Sequence, residues 1–237
     1  MGQGLVRILK SSLEPLTGEG TKIALEATMD GILGQVAAGL VSFRLSYKQK
    51  RFEENTKTAI VSMMRRERRL EQKLSDISEQ MENFIRDKAL PITFDFSIDE
   101  TESQKIELIV NGLESVIEKE ISDEGIILTY NDVLSELRLN EVARLLFFDK
   151  RSMPERLELD LSRLSLAMDE TKDGRRQYQQ LQGHDSYIDS KLQRLHLIET
   201  VVDAGSFNDE APEPSGERKL TTFGLNFIDF FKINKSV

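Results

Sequence analysis

The chain has 237 residues, of which 31% are charged and 39% apolar, with a formal net charge of −9. That length fits one large domain or two small ones and is enough to bury a real core. The absence of cysteine excludes disulfides, a thiol nucleophile and thiolate metal sites. It also fits a reducing compartment, so a cytoplasmic location is expected.

In chain order, the first twenty residues hold a four-residue apolar core, too short for a secretory signal. Met1-Gly2 opens like a myristoylation site, but Val6 stands where Ser or Thr is needed. Thr21 to Phe43 is apolar and rich in small residues. There Gly31, Gly34, Ala38 and Val41 fall close to one helical face, with Gly39 beside it. Small side chains let another backbone come close, so Gly31 and Gly34 are expected to pack against a helix of the same protein or its oligomer. Glu26 and Asp30 interrupt the run and leave thirteen uncharged residues before Arg44, short of the ~20 that a bilayer span needs.

From Gly39 to Gly112 there is no glycine and one proline, Pro91. This predicts one long helix from about residue 40 to 89, closed by Pro91. Leu70, Leu74, Ile77, Met81 and Phe84 alternate spacings of four and three, a heptad stripe suited to self-association. Upstream, Leu45, Phe52, Thr56, Ala59 and Met63 keep the same beat, with a slip of register near Arg66.

Residues 92–98 alternate strictly, with Ile92, Phe94, Phe96 and Ile98 on one side, and predict a half-buried strand. Thr101 and Gln104 read as a capping box for a helix that buries Ile106, Ile109, Val110, Leu113, Ile117 and Ile121. Gly125 to Tyr130 reads as a second short strand. Asn131 or Asp132 then caps a helix carrying Val133, Leu134, Leu137, Val142, Leu145 and Leu146. After Pro154, residues 155–181 return to a helical pattern.

The C-terminal fifth predicts a helix through Tyr187, Ile188, Leu192 and Leu195, and then a strand at Leu197 to Val202. A loop through Asn208 to Gly216 follows, then a strand from Arg218 to Thr222. Thr222 caps a last helix with an apolar face of Phe223, Phe227, Phe230 and Phe231. That order is the end of a winged-helix module. The expected architecture is mostly α (α+β): a helical arm over residues 1–90, and a small α+β domain over 91–237 with a winged-helix-like end.

Leu192, Leu195, Leu197, Ile198, Leu220, Thr221, Phe223, Gly224 and Phe227 carry a resemblance to bacterial helical proteins of the Abi-alpha type. The resemblance covers about a fifth of the chain. It implies a place in phage abortive infection and no catalytic residue.

Charge is unevenly spread. Residues 44–73 carry +6 and residues 76–160 carry −12. The simplest reading is that these two blocks face each other in the fold or oligomer; the rival is that the basic block meets an external polyanion. The polyanion reading assigns Arg65, Arg66, Arg68 and Arg69, with Lys191 and Arg194 on the C-terminal helix. An acidic wing (Asp203, Asp209, Glu210, Glu213, Glu217) opposes it, so nucleic acid is not expected as a partner.

No phosphate-cradling loop, dinucleotide fingerprint or H-E-x-x-H is present, and the two histidines, His184 and His196, lie twelve apart. No catalytic, cofactor or metal site is assigned. The expected function is a non-enzymatic protein–protein interaction or self-assembly protein, a homo-oligomer with an unidentified protein partner. Two alternatives stay open: a DNA-binding winged-helix regulator, and a peripheral protein that meets anionic membranes through residues 23–51.

Overall fold

A computed structural model describes residues 47–151, 172–202 and 214–233. Gly31, Gly34 and the rest of the small-residue segment lie outside the described residues, as do 152–171 and 203–213. The described residues are mostly helical with one two-stranded sheet. They fall into two compact units divided between Ser135 and Glu136.

The first unit holds α1 (Tyr47–Arg65), α2 (Glu67–Leu74), α3 (Glu79–Phe84), a π-helical turn (Ile85–Ala89), α4 (Leu90–Asp99), α5 (Ser103–Glu118) and α6 (Glu124–Glu136). α1 packs on both α4 and α5, and α2 packs on α5. Helices on either side of residue 90 therefore share one core, built from Ala59, Ile60, Met63, Phe94, Ile106, Ile109, Leu113 and Ile117. Each fully buried aliphatic or aromatic side chain of this kind contributes roughly 1.5–3 kcal/mol.

The expected unbroken helix to residue 89 is interrupted twice. α1 ends at Arg65 and α2 begins at Glu67, at the register slip. α2 then ends at Leu74. Beyond it the Ser75 hydroxyl donates to the Gln72 carbonyl, and Ser78 caps α3 by accepting from the Met81 N–H at 3.2 Å. Such short hydroxyl side chains compete with the helical ladder and favour a stop and a restart.

Pro91 does not stop the chain. It sits in the first turn of α4, directly after the π turn. A proline lacks the N–H and its ring crowds the carbonyl four residues back, and a first-turn position tolerates both.

Residues 92–98 are helix, not strand. α4 buries Leu90, Ile92, Thr93, Phe94 and Ser97 and exposes only Asp95 and Asp99, so its polar face is too narrow to mark a helical period clearly. The hydroxyls that would suit a strand bond inside the helix instead. Thr93 donates to the Ala89 carbonyl and Ser97 to the Thr93 carbonyl, each at 2.7 Å. Burial has overridden β propensity.

The second expected strand is also helix. Asp123 accepts from the N–H groups of Gly125 (2.8 Å) and Ile126 (3.2 Å) and starts α6, and Asn131 lies inside that helix with its amide donating to the Ile127 carbonyl. The Thr101–Gln104 capping box is replaced by Glu100, whose carboxylate accepts from the N–H groups of Thr101 and Glu102.

The second unit holds α7 (Leu139–Leu146), α8 (Lys172–Arg194), β1 (Ile198–Val202), β2 (Pro214–Leu220) and α9 (Thr222–Phe231). β1 and β2 are antiparallel, pairing Ile198 with Leu220, Glu199 with Lys219 and Thr200 with Arg218. β2 begins at Pro214, inside the stretch expected to be loop. α8 packs on α7 and β1, and α9 packs on β2. Phe227, Phe230 and Phe231 are buried in edge-to-face contacts at 5.0 and 4.9 Å. The cap of α9 is Thr221 rather than Thr222. Its hydroxyl oxygen accepts from the Gly224 N–H at 2.9 Å, and its own N–H donates to the Leu197 carbonyl.

Gly224 sets how closely α9 approaches β1. A Cβ there would lie 2.0 Å from the Leu197 carbonyl oxygen, which is backbone and cannot rotate away. Gly224→Ala should therefore destabilise the second unit by about 1–3 kcal/mol through overpacking, despite a helix-propensity gain of about 1 kcal/mol. Denaturant unfolding, read with hydrogen exchange at β1 and α9, checks the sign; a stabilised variant refutes the close approach.

Candidate functional site

α5 is apolar almost all round, with one polar row. Glu107, Asn111, Glu114 and Glu118 recur at spacings of four, three and four, which places them on one face of a helix. α1 and α2 present Ser62, Arg65, Arg66 and Arg69 at the matching spacing. Arg66 donates to Glu107 at 2.9 Å and to Asn111 at 2.7 Å, and it also reaches the Ser62 carbonyl and hydroxyl. Its Nε lies 3.7 Å from Glu114 Oε2. Arg69 bridges Glu114 at 3.0 Å and Glu118 at 2.5 Å. Ser62 donates to Glu107 at 2.8 Å. The basic block thus meets the acidic block inside the first unit.

Burial decides which contacts matter. The Glu114 side chain is 3% exposed and Arg66 is 21% exposed, whereas Arg65 is 72% exposed and stands 3.7 Å from Glu107. A buried carboxylate costs several kcal/mol unless charge and hydrogen bonds compensate it. An exposed pair contributes roughly 0–1 kcal/mol. Partial burial pushes the Glu107 carboxyl up, but hydrogen bonds from Ser62 and Arg66 and the charges of Arg66 and Arg65 outweigh it, and the net position is below the usual carboxylate range.

A second buried pair closes the turn between α4 and α5. Lys105 Nζ lies 2.6 Å from Glu100 Oε2, with both side chains almost fully buried. From α1, the Asn55 amide donates to the carbonyls of Ile98 and Glu100 at the end of α4.

In the second unit Asp189, buried on α8, accepts two parallel bonds from Arg144 at 2.8 Å each, and one from Arg218 on β2 at 2.5 Å. This bidentate fork ties α7 and β2 to α8. Lys191 Nζ lies 2.6 Å from both Glu141 Oε2 and the Glu136 carbonyl oxygen, and Arg194 lies 3.4 Å from Glu136. Glu141 also accepts from the Arg138 N–H and so caps α7.

The residues expected to bind a polyanion are accordingly placed as follows. Arg66, Arg69, Lys191 and Arg194 are paired with carboxylates of their own unit, Arg65 stands at the edge of that pairing, and Arg68 lies on α2 with its side chain outside the description. The stripe is not continuous. Leu70 is buried on α2 and Met81 on α3, while Leu74, Ile77 and Phe84 are half-buried. Ile77 lies in the turn between the helices. Glu107, Glu114 and Asp189 carry no assignment from the sequence, and Glu118 reads there as part of a solvated helix face; the four–three–four row is the visible signal for α5, and Asp189 has none.

Among the described residues, no group of three or more His, Asp or Glu is placed to hold a metal, and no helix is long and apolar enough to cross a membrane. The chain matches no protein-family model, no curated protein and no solved structure.

Arg66→Ala should destabilise the first unit by about 1–3 kcal/mol, because it removes the bonds to Glu107 and Asn111 and one of the two cations beside the buried Glu114. Arg65→Ala should stay within about 0.5 kcal/mol. Denaturant unfolding of the two variants checks the contrast; equal costs would show that the seam is surface decoration.

Glu107 supplies a pH test. Its carboxyl is lowered by folding, so its contribution is present above the unfolded pKa and is lost as pH falls through the lower folded one. Glu107→Gln should flatten that part of the acid limb in a stability–pH profile while leaving the neutral-to-alkaline slope unchanged.

Proposed function

We propose that this chain is a non-enzymatic protein–protein interaction or self-assembly protein, with a winged-helix-like C-terminal unit that faces protein rather than nucleic acid. The observation that carries this reading is the pairing of Lys191 with Glu141 at 2.6 Å, both side chains largely buried; Arg194 adds an exposed pair with Glu136 at 3.4 Å. These cations would have to meet phosphate in a DNA-reading α8, and each already has a carboxylate partner. Exchanging one anion for another gains little. The half-buried state of Leu74, Ile77 and Phe84 supports self-assembly, since apolar area remains there for a second copy. The resemblance to Abi-alpha-type proteins extends the proposal to bacterial or phage conflict.

Light scattering of the full chain at tens of micromolar tests the assembly part. A dimer or larger is expected, and Leu74→Asp with Ile77→Asp should dissociate it; a wild-type monomer overturns it. A gel shift tests the other part. Weak, nonspecific retention of duplex DNA at low salt is expected. Sub-micromolar, sequence-selective binding at physiological salt that is lost on Arg194→Ala refutes the protein-facing reading.

A further inference from the structure

The C-terminal unit carries a cleft of about 160 Å³ lined by Phe147, Phe148, Lys150, Glu217, Arg218 and Lys219. Its two aromatic side chains follow the end of α7, and its four charged ones are Lys150 and three from β2. Phe147 and Phe148 are half-buried and meet edge to face at 5.5 Å. The Arg144 guanidinium lies 4.6 and 5.2 Å from the two ring centroids. Arg144 is itself locked by its fork on Asp189. The rings are thus held by a fixed cation on a packed helix, and the apolar wall is formed in advance.

Size and charge narrow the occupant. Cofactor and drug-sized sites typically span about 300–1,000 Å³. This cleft is below that range and takes one side chain, the scale of a protein–protein anchor pocket. Three of its lining residues are cations and one is a carboxylate. Arg218 is committed to Asp189. Lys219 pairs with Glu199 at 3.2 Å across the strands, with both side chains about half exposed; an exposed pair of this kind exchanges partners readily. Lys150 is exposed and makes no hydrogen bond or ion pair among the described residues. It differs in this from Arg66, Arg69, Lys191 and Arg194, all of which are paired.

We infer that this cleft is a docking site for an acidic, aromatic-bearing segment of a partner protein: an apolar ring enters against Phe147 and Phe148, and flanking carboxylates meet Lys150 and Lys219. The inference rests on the protein-interaction reading above and names the chemistry of the partner. A ring entering here gains edge-to-face contact with the two phenylalanines. Rim lysines attract the flanking carboxylates without the desolvation that a buried pair would require.

Fluorescence anisotropy on the full chain tests it, with a labelled Asp-Glu-Phe-Asp-Glu peptide. Asp-Glu-Ser-Asp-Glu, Lys-Lys-Phe-Lys-Lys and an oligothymidylate serve as comparisons. Saturable binding by the first peptide is expected, weakened by added salt and roughly tenfold weaker in Lys150→Glu, an exposed site where the fold is not at risk. Lys219→Glu should weaken it in the same direction. Equal binding of the serine peptide, an unchanged Lys150→Glu variant, or oligothymidylate binding as tight as the peptide's overturns the proposal. Light scattering on the same samples separates the two readings. No peptide binding by an intact oligomer overturns the cleft alone, and a monomer that binds the peptide as described supports the cleft and overturns self-assembly alone.

Discussion

The first unit depends on the compensation of one buried carboxylate. Glu114 sits on the central helix at 3% side-chain exposure, within a helix whose buried residues are mostly apolar. An ionised group there is tolerated only if cations and hydrogen bonds replace its water. Arg66 and Arg69 supply the charge, the first from the break between α1 and α2 and the second from α2. The placement of α2 follows from this. α2 offers one fully buried apolar side chain, Leu70, so its attachment to α5 rests heavily on the ionic row beside it. Asp189 has the same role in the second unit, where Arg144 and Arg218 converge on it from α7 and β2.

These two arrangements explain which parts of the fold could be read from the residues. α5 has a helical apolar period and was legible, down to Ile106, Ile109, Val110, Leu113 and Ile117 as its buried face. β1, β2 and α9 were legible as elements from β-branched residues and an apolar helical face, but β2 starts at Pro214 inside the expected loop and the cap of α9 is Thr221, one residue before the expected Thr222. α4 was not. Its alternating Ile92, Phe94, Phe96 and Ile98 carry a period of two, and its exposed residues are Asp95 and Asp99 alone, too few to impose a clear period of 3.6. The same pattern satisfies both structures, and what decides is whether a neighbouring strand exists to accept the backbone. In α4 the hydroxyls of Thr93 and Ser97 bond the preceding turn instead.

The charge blocks give a second contrast. Their opposite signs were enough to expect contact between them, because a net +6 beside a net −12 is most cheaply neutralised at short range. The identity of the partners was not legible. Arg65 and Arg66 are neighbours in sequence, but one helical step of about 100° leaves Arg65 mostly in water and turns Arg66 toward Glu107 and Asn111. The break at Arg66 was visible only as a slip in the apolar register. The second break, at Ser75 to Ser78, was marked by two serines that a heptad count passes over, and it divides Leu70 from Met81 and Phe84.

Pairing of this kind also bears on what the surface can recognise. A phosphate that took Lys191 would remove the cation from the buried Glu141, a loss of about 3–5 kcal/mol for a fully buried pair. That is comparable with, or larger than, what one phosphate contact returns at physiological salt, since such contacts are weakened by counterion competition. Exposed cations carry no such penalty. Arg69 and Arg65 are more than half exposed but remain tethered to Glu118, Glu114 and Glu107. Lys150 is exposed and has no tether among the described residues, so an incoming carboxylate there displaces only water. The internal ion pairs therefore do two things at once. They fix the helices in register, and they engage Arg66, Lys191 and Arg144 with buried carboxylates, whereas Lys150 stays exposed near the half-buried Phe147 and Phe148.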